Sequence, residues 1–320
     1  MATVLVLANT ADGAADDITL QALTLARGLA AGGPVHAVLM GDEPAAAGLG
    51  AYGAATVHLA THEVLAGGAP DARARILADL ADRLGADVVV GPGSDEGNTI
   101  VARAAARAGQ PFAANCTRVT LGSPVTVTRI RWGGSLMEEA ALHAARAYLT
   151  VAPHAVPAEA SGGTAAVEAF TPELDPADLV VRAARRIPAA TGGVSLADAK
   201  VVVSGGRGVG STDGFGPIEE LAGLLGAAVG CSRAVTISGW RSHTAQVGQT
   251  GTKIAPDLYI AAGISGATQH MAGCKASKKI LAINKDAEAP IMSMADYAVI
   301  GDLHQVVPAI AAEIRRVRGG

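Results

Sequence analysis

Between residues 201 and 303 the chain keeps returning to one combination, a short apolar run followed by glycines with a cation, an amide or a hydroxyl set among them. The first such segment is Val-Ser-Gly-Gly-Arg-Gly-Val-Gly-Ser (203–211). Glycines let backbone N–H groups approach an anion closely, and the segment follows a predicted strand and precedes a predicted helix, the setting a phosphate cradle needs. Arg207, in mid-loop, is either a bidentate phosphate ligand or a solvated charge. The spacing fits neither common cradle. Gly206 and Gly208 lead to Ser211 where G-x-G-x-x-G wants a third glycine, and Gly205 and Gly210 are followed by Ser211-Thr212 with no lysine, which argues against a nucleoside triphosphatase.

The second segment runs Cys231-Ser232-Arg233 and, after a strand-like stretch, Gln246-Val247-Gly248-Gln249-Thr250-Gly251. Two amides and a hydroxyl between glycines have much hydrogen-bonding capacity and little packing value, so this is a ligand loop or an ordinary turn. The third, Gly263-Ile264-Ser265-Gly266-Ala267-Thr268-Gln269-His270, leaves an apolar strand and opens a helix, offering a second anion seat. Two phosphate seats in one domain point to a pyrophosphate. His270 is a structural histidine or a group aimed at the ligand. Asn284 and Asp302 sit at the ends of the next two strands, where an α/β sheet presents groups to a nucleotide; Asp302 also suits the N-cap of the final helix.

The elements that must position these loops follow a βαβ rhythm. In the first half, apolar runs at 4–7, 35–40, 56–59 and 88–90 alternate with helical patterns at 16–31, 71–84 and 98–108. The fourth run enters Gly-Pro-Gly-Ser-Asp-Glu-Gly (91–97), either a nucleotide pocket or a crossover capped by Ser94 or Asp95. Further strands are expected at 125–130 and 148–151, a surface segment at 153–171, a short helix at 177–187 and a linker at 188–193. The second half is expected to hold four strands (200–203, 258–262, 279–283, 297–301) with helices at 218–225, 268–276 and 303–316. The reading is α/β with two domains, each a mostly parallel sheet flanked by helices. Residues 1–190 form the first domain, and 195–320 a Rossmann-like second.

The bulk numbers agree. A chain of 320 residues is comfortable as two domains, and 50% hydrophobic content with only 3% aromatics implies cores of Ala, Val, Leu and Ile. A net charge of −4 without long basic runs leaves no footprint for nucleic acid or an anionic membrane. No apolar run approaches the ~20 residues of a membrane span. The start lacks a basic, then apolar, leader, and the three cysteines are far apart, so a cytoplasmic protein without disulfides or a zinc framework is expected. No paired carboxylates, Ser/His/Asp set or metal cluster stands out.

Taken together, Ser-Gly-Gly-Arg-Gly (204–208), Ser232-Arg233, Gln-Val-Gly-Gln-Thr-Gly (246–251), Gly-Ile-Ser-Gly-Ala-Thr-Gln-His (263–270) and Ala-Ile-Asn-Lys-Asp-Ala-Glu-Ala-Pro (282–290) resemble the alpha subunit of electron transfer flavoproteins. The first half resembles that family in rhythm and length only. The turn at 240–245, Trp-Arg-Ser-His-Thr-Ala, departs from the family's usual Val-Pro-Asn-Asp-like form.

The resemblance implies one FAD in the second domain. It also implies a beta subunit that carries AMP, contacts the first domain and completes the wall over the flavin. Arg207, Ser232 and Arg233 would contact the cofactor, with Arg233 over the isoalloxazine. Gln246, Val247, Gly248, Gln249 and Thr250 would wrap the ring, the Thr250 hydroxyl near N5. Gly263, Ser265, Gly266, Ala267, Thr268, Gln269 and His270 would serve the pyrophosphate and ribityl chain, His270 reaching the pyrimidine carbonyl. Asn284, Asp302 and Leu303 would hold the AMP half. The implied role is an electron carrier without a substrate-transforming site. It would accept electrons from flavoprotein dehydrogenases of the acyl-CoA type and pass them to a quinone reductase. A unit charge ~4 Å from the ring is worth on the order of 4 kcal/mol at an effective dielectric of about 20, so Arg233 is the expected control on potential.

Overall fold

A computed structural model describes the chain except residues 12, 42, 133–135, 183–194, 198 and 319–320. It divides into two compact units, Met1–Trp132 with Leu136–Ile187, and Pro188–Gly320. The linker predicted at 188–193 lies outside the described residues. Both units are α/β with mostly parallel sheets, as expected.

Besides a two-residue hairpin of Thr10–Ala11 with Ala14–Ala15, the first unit's strands are β1 (Val4–Ala8), β2 (Val35–Met40), β3 (Thr56–Ala60), β4 (Val88–Pro92), β5 (Phe112–Thr120), β6 (Val125–Arg131), β7 (Leu136–Leu142), β8 (Ala147–Val151) and β9 (Ala166–Phe170). They form one sheet in the order β9-β3-β2-β1-β4-β8-β5-β6-β7. Pairing is parallel except at β5–β6 and β6–β7. The central strands are buried on both faces, hence their unbroken apolar runs. Helices Asp17–Ala30, Pro70–Leu84 and Asp95–Arg107 cover them; the first is capped by Asp16, whose carboxylate accepts from Thr19 N at 2.7 Å.

The first unit departs from expectation in part. The segment at 153–171 is surface chain as expected, but its residues Ala166–Phe170 also add to β3 as an edge strand. Its residues are mostly exposed, so no apolar alternation marked it. In the range 177–187, Pro176–Leu179 is a single 3₁₀ turn, and residues from 183 lie outside the described ones. Strands β5 and β7 were not anticipated.

The loop at 91–97 is a capped crossover. Ser94 Oγ accepts from Gly97 N at 3.0 Å and also takes the Asn9 amide at 3.3 Å. Thr150 Oγ1 donates to Asn98 Oδ1 at 2.6 Å, and a Cβ on Gly93 would meet Val151 O at 2.2 Å. Asn9, Ser94, Asn98 and Thr150 at this sheet's switch point are thus bonded to one another or to the loop backbone, and Gly93 is closely packed.

The second unit holds β10 (Val201–Gly205), β11 (Ala228–Cys231), β12 (Leu258–Ala262), β13 (Ile280–Asn284) and β14 (Tyr297–Ile300), all parallel, in the order β11-β10-β12-β13-β14. Helices Gly216–Leu225 and Leu303–Arg318 pack on the face formed by Val203, Ile260 and Ile283. The expectation of four strands missed β11. The strand-like stretch after Arg233 is a short helix, Arg233–Ile237, of whose β-branched residues only Val235 is buried. The first glycine loop does not open directly onto a helix, since turns at Arg207–Val209 and Asp213–Phe215 precede Gly216.

Candidate cofactor site

Strand order decides where a ligand can sit. The chain runs from β10 outward to β11 and then returns to the other side of β10 as β12, so the switch point lies between the carboxyl ends of β10 and β12, where open α/β sheets leave a crevice. The two loops leaving those ends are the first and third glycine segments, and their backbones touch. Gly206 N donates to Ala262 O at 2.8 Å and Gly208 N to Gly263 O at 3.2 Å. A Cβ on Gly206 would lie 2.1 Å from Gly263 O, and one on Gly208 2.9 Å from Gly263 Cα. Gly263 has φ +66°, a conformation that disfavours any other residue. Leu303 is buried below this contact, its Cδ2 2.6 Å from where a Gly263 Cβ would stand.

The other segments dock onto this pair. Val247 N donates to Cys231 O at 2.9 Å and Gln249 N to Gln269 O at 2.7 Å, so the Gln246 loop bridges the ends of β11 and the third loop. Gln246 is buried; its Oε1 accepts from Thr236 Oγ1 at 2.7 Å and its Nε2 donates to Thr250 Oγ1 at 3.0 Å. Gly248, at φ +149°, lies against the helix Thr268–Cys274, where a Cβ on Gly273 would meet Gly248 Cα at 2.4 Å.

These loops enclose one cavity of about 490 Å³, within the usual size range of ligand sites. Every residue named from the sequence lines it except Gly266 and Thr268. Gly266, at φ +80°, turns the third loop against Ile291, whose N–H donates to Ser265 O at 3.1 Å. Thr268 is exposed at the start of its helix. Lining residues to which the sequence reading gave no role include Gly208, Ala234, Ile264, Lys285 and Asp286. Lys285 and Asp286 stand at a strand end, the signal that located Asn284 beside them.

Several side chains are committed to holding the cavity's shape. Asn284 Nδ2 donates to Ile264 O at 2.9 Å and its Oδ1 accepts from Asp286 N at 3.0 Å, so its amide braces the loops. Asp302 caps the last helix by accepting from His304 N at 2.9 Å, and pairs with Lys285 at 2.9 Å, which holds its carboxyl below the usual range. Beyond the wall, the unusual 240–245 turn is anchored by Arg241, which pairs with Glu219 at 2.5 Å and lies over the Phe215 ring at 4.4 Å.

Other polar groups remain uncommitted. The Arg207 and Arg233 guanidiniums form no ion pair with any carboxylate among the described residues, unlike most arginines of the first unit. His270 is buried, with Nε2 2.7 Å from the Tyr259 hydroxyl and Nδ1 without a hydrogen-bond partner among the described residues. Burial pushes its pKa down to about 4, with the Val247 backbone opposing, so the ring is neutral at pH 7. A buried imidazole, two guanidiniums without an ion pair and loops that exclude any Cβ fit an anionic, ring-bearing dinucleotide.

The fold and cavity define a two-unit α/β protein with a dinucleotide site at the switch point of its second sheet. The electron transfer flavoprotein domain model matches residues 4–175, and that of the electron transfer flavoprotein FAD-binding domain matches residues 195–275. The chain is 40% identical to an electron transfer flavoprotein subunit alpha of Mycobacterium tuberculosis and 38% identical to that of Mycobacterium leprae, each over 100% of both chains. It is 34% identical to the subunit alpha of Bacillus subtilis over 98% of each. The chain belongs to the electron transfer flavoprotein alpha-subunit family, and its second unit is that family's FAD-binding domain. No helix among the described residues is long and apolar enough to cross a membrane.

Proposed function

We propose that this chain is the FAD-carrying half of an electron-shuttling heterodimer and does no substrate chemistry of its own. Its beta partner would carry AMP and contact the first unit. Electrons would come from flavoprotein dehydrogenases of the acyl-CoA type and leave to a membrane-linked quinone reductase, with the protein acting in the cytoplasm. FAD supplies the chemistry, taking up electrons in pairs or singly and releasing them singly.

The observation that carries this reading is the pair of unpaired guanidiniums in a cavity walled by glycine loops. Arg207 and the backbone of 263–267 would hold the pyrophosphate. Gln246–Thr250 would flank the ring, and Asn284, Asp302 and Leu303 would shape the adenosine end. The Gln246 amide donates to Thr250 Oγ1, which leaves the Thr250 hydroxyl proton free to point into the cavity. Arg233 is exposed in the isolated chain, so a partner laid over it would lower the local dielectric and strengthen its field on the ring.

The test is the visible absorption of the purified heterodimer, where a flavin spectrum is expected and a colourless complex would refute the reading. Arg233→Ala should retain FAD but lower its midpoint potential on the order of 50–150 mV, the shift expected from losing about 1–4 kcal/mol of Coulomb stabilisation of reduced flavin. An unchanged redox titration would place Arg233 away from the ring.

A further inference from the structure

Among the described residues the cavity wall carries three cations, Arg207, Arg233 and Lys285, and they are not alike. The two guanidiniums form no ion pair, whereas Lys285, just beyond the carboxyl end of β13, pairs with Asp302 beyond the end of β14, Nζ to Oδ2 2.9 Å. Two carboxylates line the wall, Asp286 and Asp302, both at this end. Asp286 is exposed, so water screens its charge. Asp302 is less open, its side chain 28% exposed, and its Oδ1 accepts from His304 N at 2.9 Å in the first turn of the last helix. A carboxylate in the wall of a site for an anionic ligand repels that ligand's phosphates unless its charge is met. Lys285 on one oxygen and the helix N-terminus on the other meet it, and together they hold the carboxyl below the usual range.

The chemistry left to Asp302 follows from its lone pairs. An ionised carboxylate offers about four acceptor sites and no hydrogen to donate, and here Lys285 and His304 take one each. What remains can accept from a hydroxyl or an amino group and can only repel a phosphate. The part of the ligand lying at the β13–β14 end therefore has to bring donors, as a ribose does, with its phosphates toward Arg207.

We propose that Lys285 is a positioning residue for the cofactor: by pairing with Asp302 it allows a carboxylate to stand in the wall of an anion site, where that carboxylate accepts a hydroxyl of the adenosine half. Lys285 thus acts through Asp302 and not as a phosphate ligand. This rests on the FAD reading above and gives a task to a residue that reading leaves without one.

The experiment is serial dilution and ultrafiltration of the flavin-loaded heterodimer, which yields an FAD dissociation constant for each variant. Lys285 is 71% exposed, so its replacement leaves the core untouched. Lys285→Met should weaken FAD about three- to tenfold, the range of a partly screened charge interaction. Lys285→Arg keeps the charge and should stay within about twofold of wild type. In Lys285→Met/Asp302→Asn the unmet charge is gone while asparagine still caps the helix, and affinity should return to within about twofold. Unchanged affinity in Lys285→Met would overturn the proposal. So would a loss that persists in the double variant, since Lys285 would then act on the cofactor directly. A wild-type complex that holds no FAD would refute the FAD reading and this inference with it, whereas the other two results strike the inference alone.

Discussion

Gly206→Ala is expected to strip the complex of flavin while both units remain folded. The backbone of Gly206 is unstrained, so the cost comes from contact. The added methyl would stand 2.1 Å from Gly263 O and 2.7 Å from Ile264 Cα. Backbone atoms cannot rotate away as a side-chain tip would. The loops after β10 and β12 must therefore separate, breaking the 2.8 Å bond from Gly206 N to Ala262 O that seals the switch point. Overpacking of this kind costs typically ~1–3 kcal/mol, and here it falls on the two loops that form the floor of the cavity. We expect at least a roughly tenfold loss in flavin retained after gel filtration, with far-ultraviolet circular dichroism preserved. Gly223→Ala is the control. Its Cβ would meet nothing within 4 Å and it lies inside the helix Gly216–Leu225, so alanine should stabilise there by about 1 kcal/mol. Full flavin content in Gly206→Ala would show that the two loops are not the cavity's rigid floor.

What could be read before folding, and what could not, follows from the range of the interactions involved. Val4–Ala8, Val35–Met40 and Leu258–Ala262 announced themselves because strands covered on both faces are almost wholly apolar, His36 being the exception. The glycine segments were legible because a loop that admits an anion cannot carry side chains at the points of approach. Ala228–Cys231 was not legible. It is four residues long, and its glycine is required by a neighbour, since a Cβ on Gly230 would meet Ser204 Oγ at 2.3 Å. No local pattern encodes a contact with a residue 26 positions earlier in the chain. The same limit explains Asn284, which lines the cavity but is engaged in bracing Ile264 O and Asp286 N. Sequence position indicated which residues gather at the cavity; only the fold shows which of them have hydrogen-bonding capacity left over.

Acid should destabilise this protein well before its carboxylates titrate, and His270 should be a principal cause. In the folded chain the imidazole is held neutral, its pKa lowered from 6.5 to about 4 by burial. An unfolded chain binds a proton there at ordinary values, so between those two pH values the unfolded state carries more protons than the native one. Stability from this group is then fully present above pH 6.5 and is lost as pH falls toward 4, by roughly 3 kcal/mol in total. His36 and His58, side by side on β2 and β3 with ring nitrogens 3.0 Å apart, are also lowered by burial, partly opposed by Glu168 on β9, and act in the same direction. Thermal unfolding of the heterodimer followed from pH 7 to pH 4.5 should show a falling midpoint across this window. In His270→Gln, which cannot take up a proton, the fall should be shallower by most of the His270 contribution, whatever the variant's stability at pH 7. Parallel curves for the two proteins would mean that the folded chain protonates His270 as readily as the unfolded one. Below about pH 6.5 the cavity would then hold a cation at that position, with the contact to Tyr259 running from Nε2–H to the phenol oxygen.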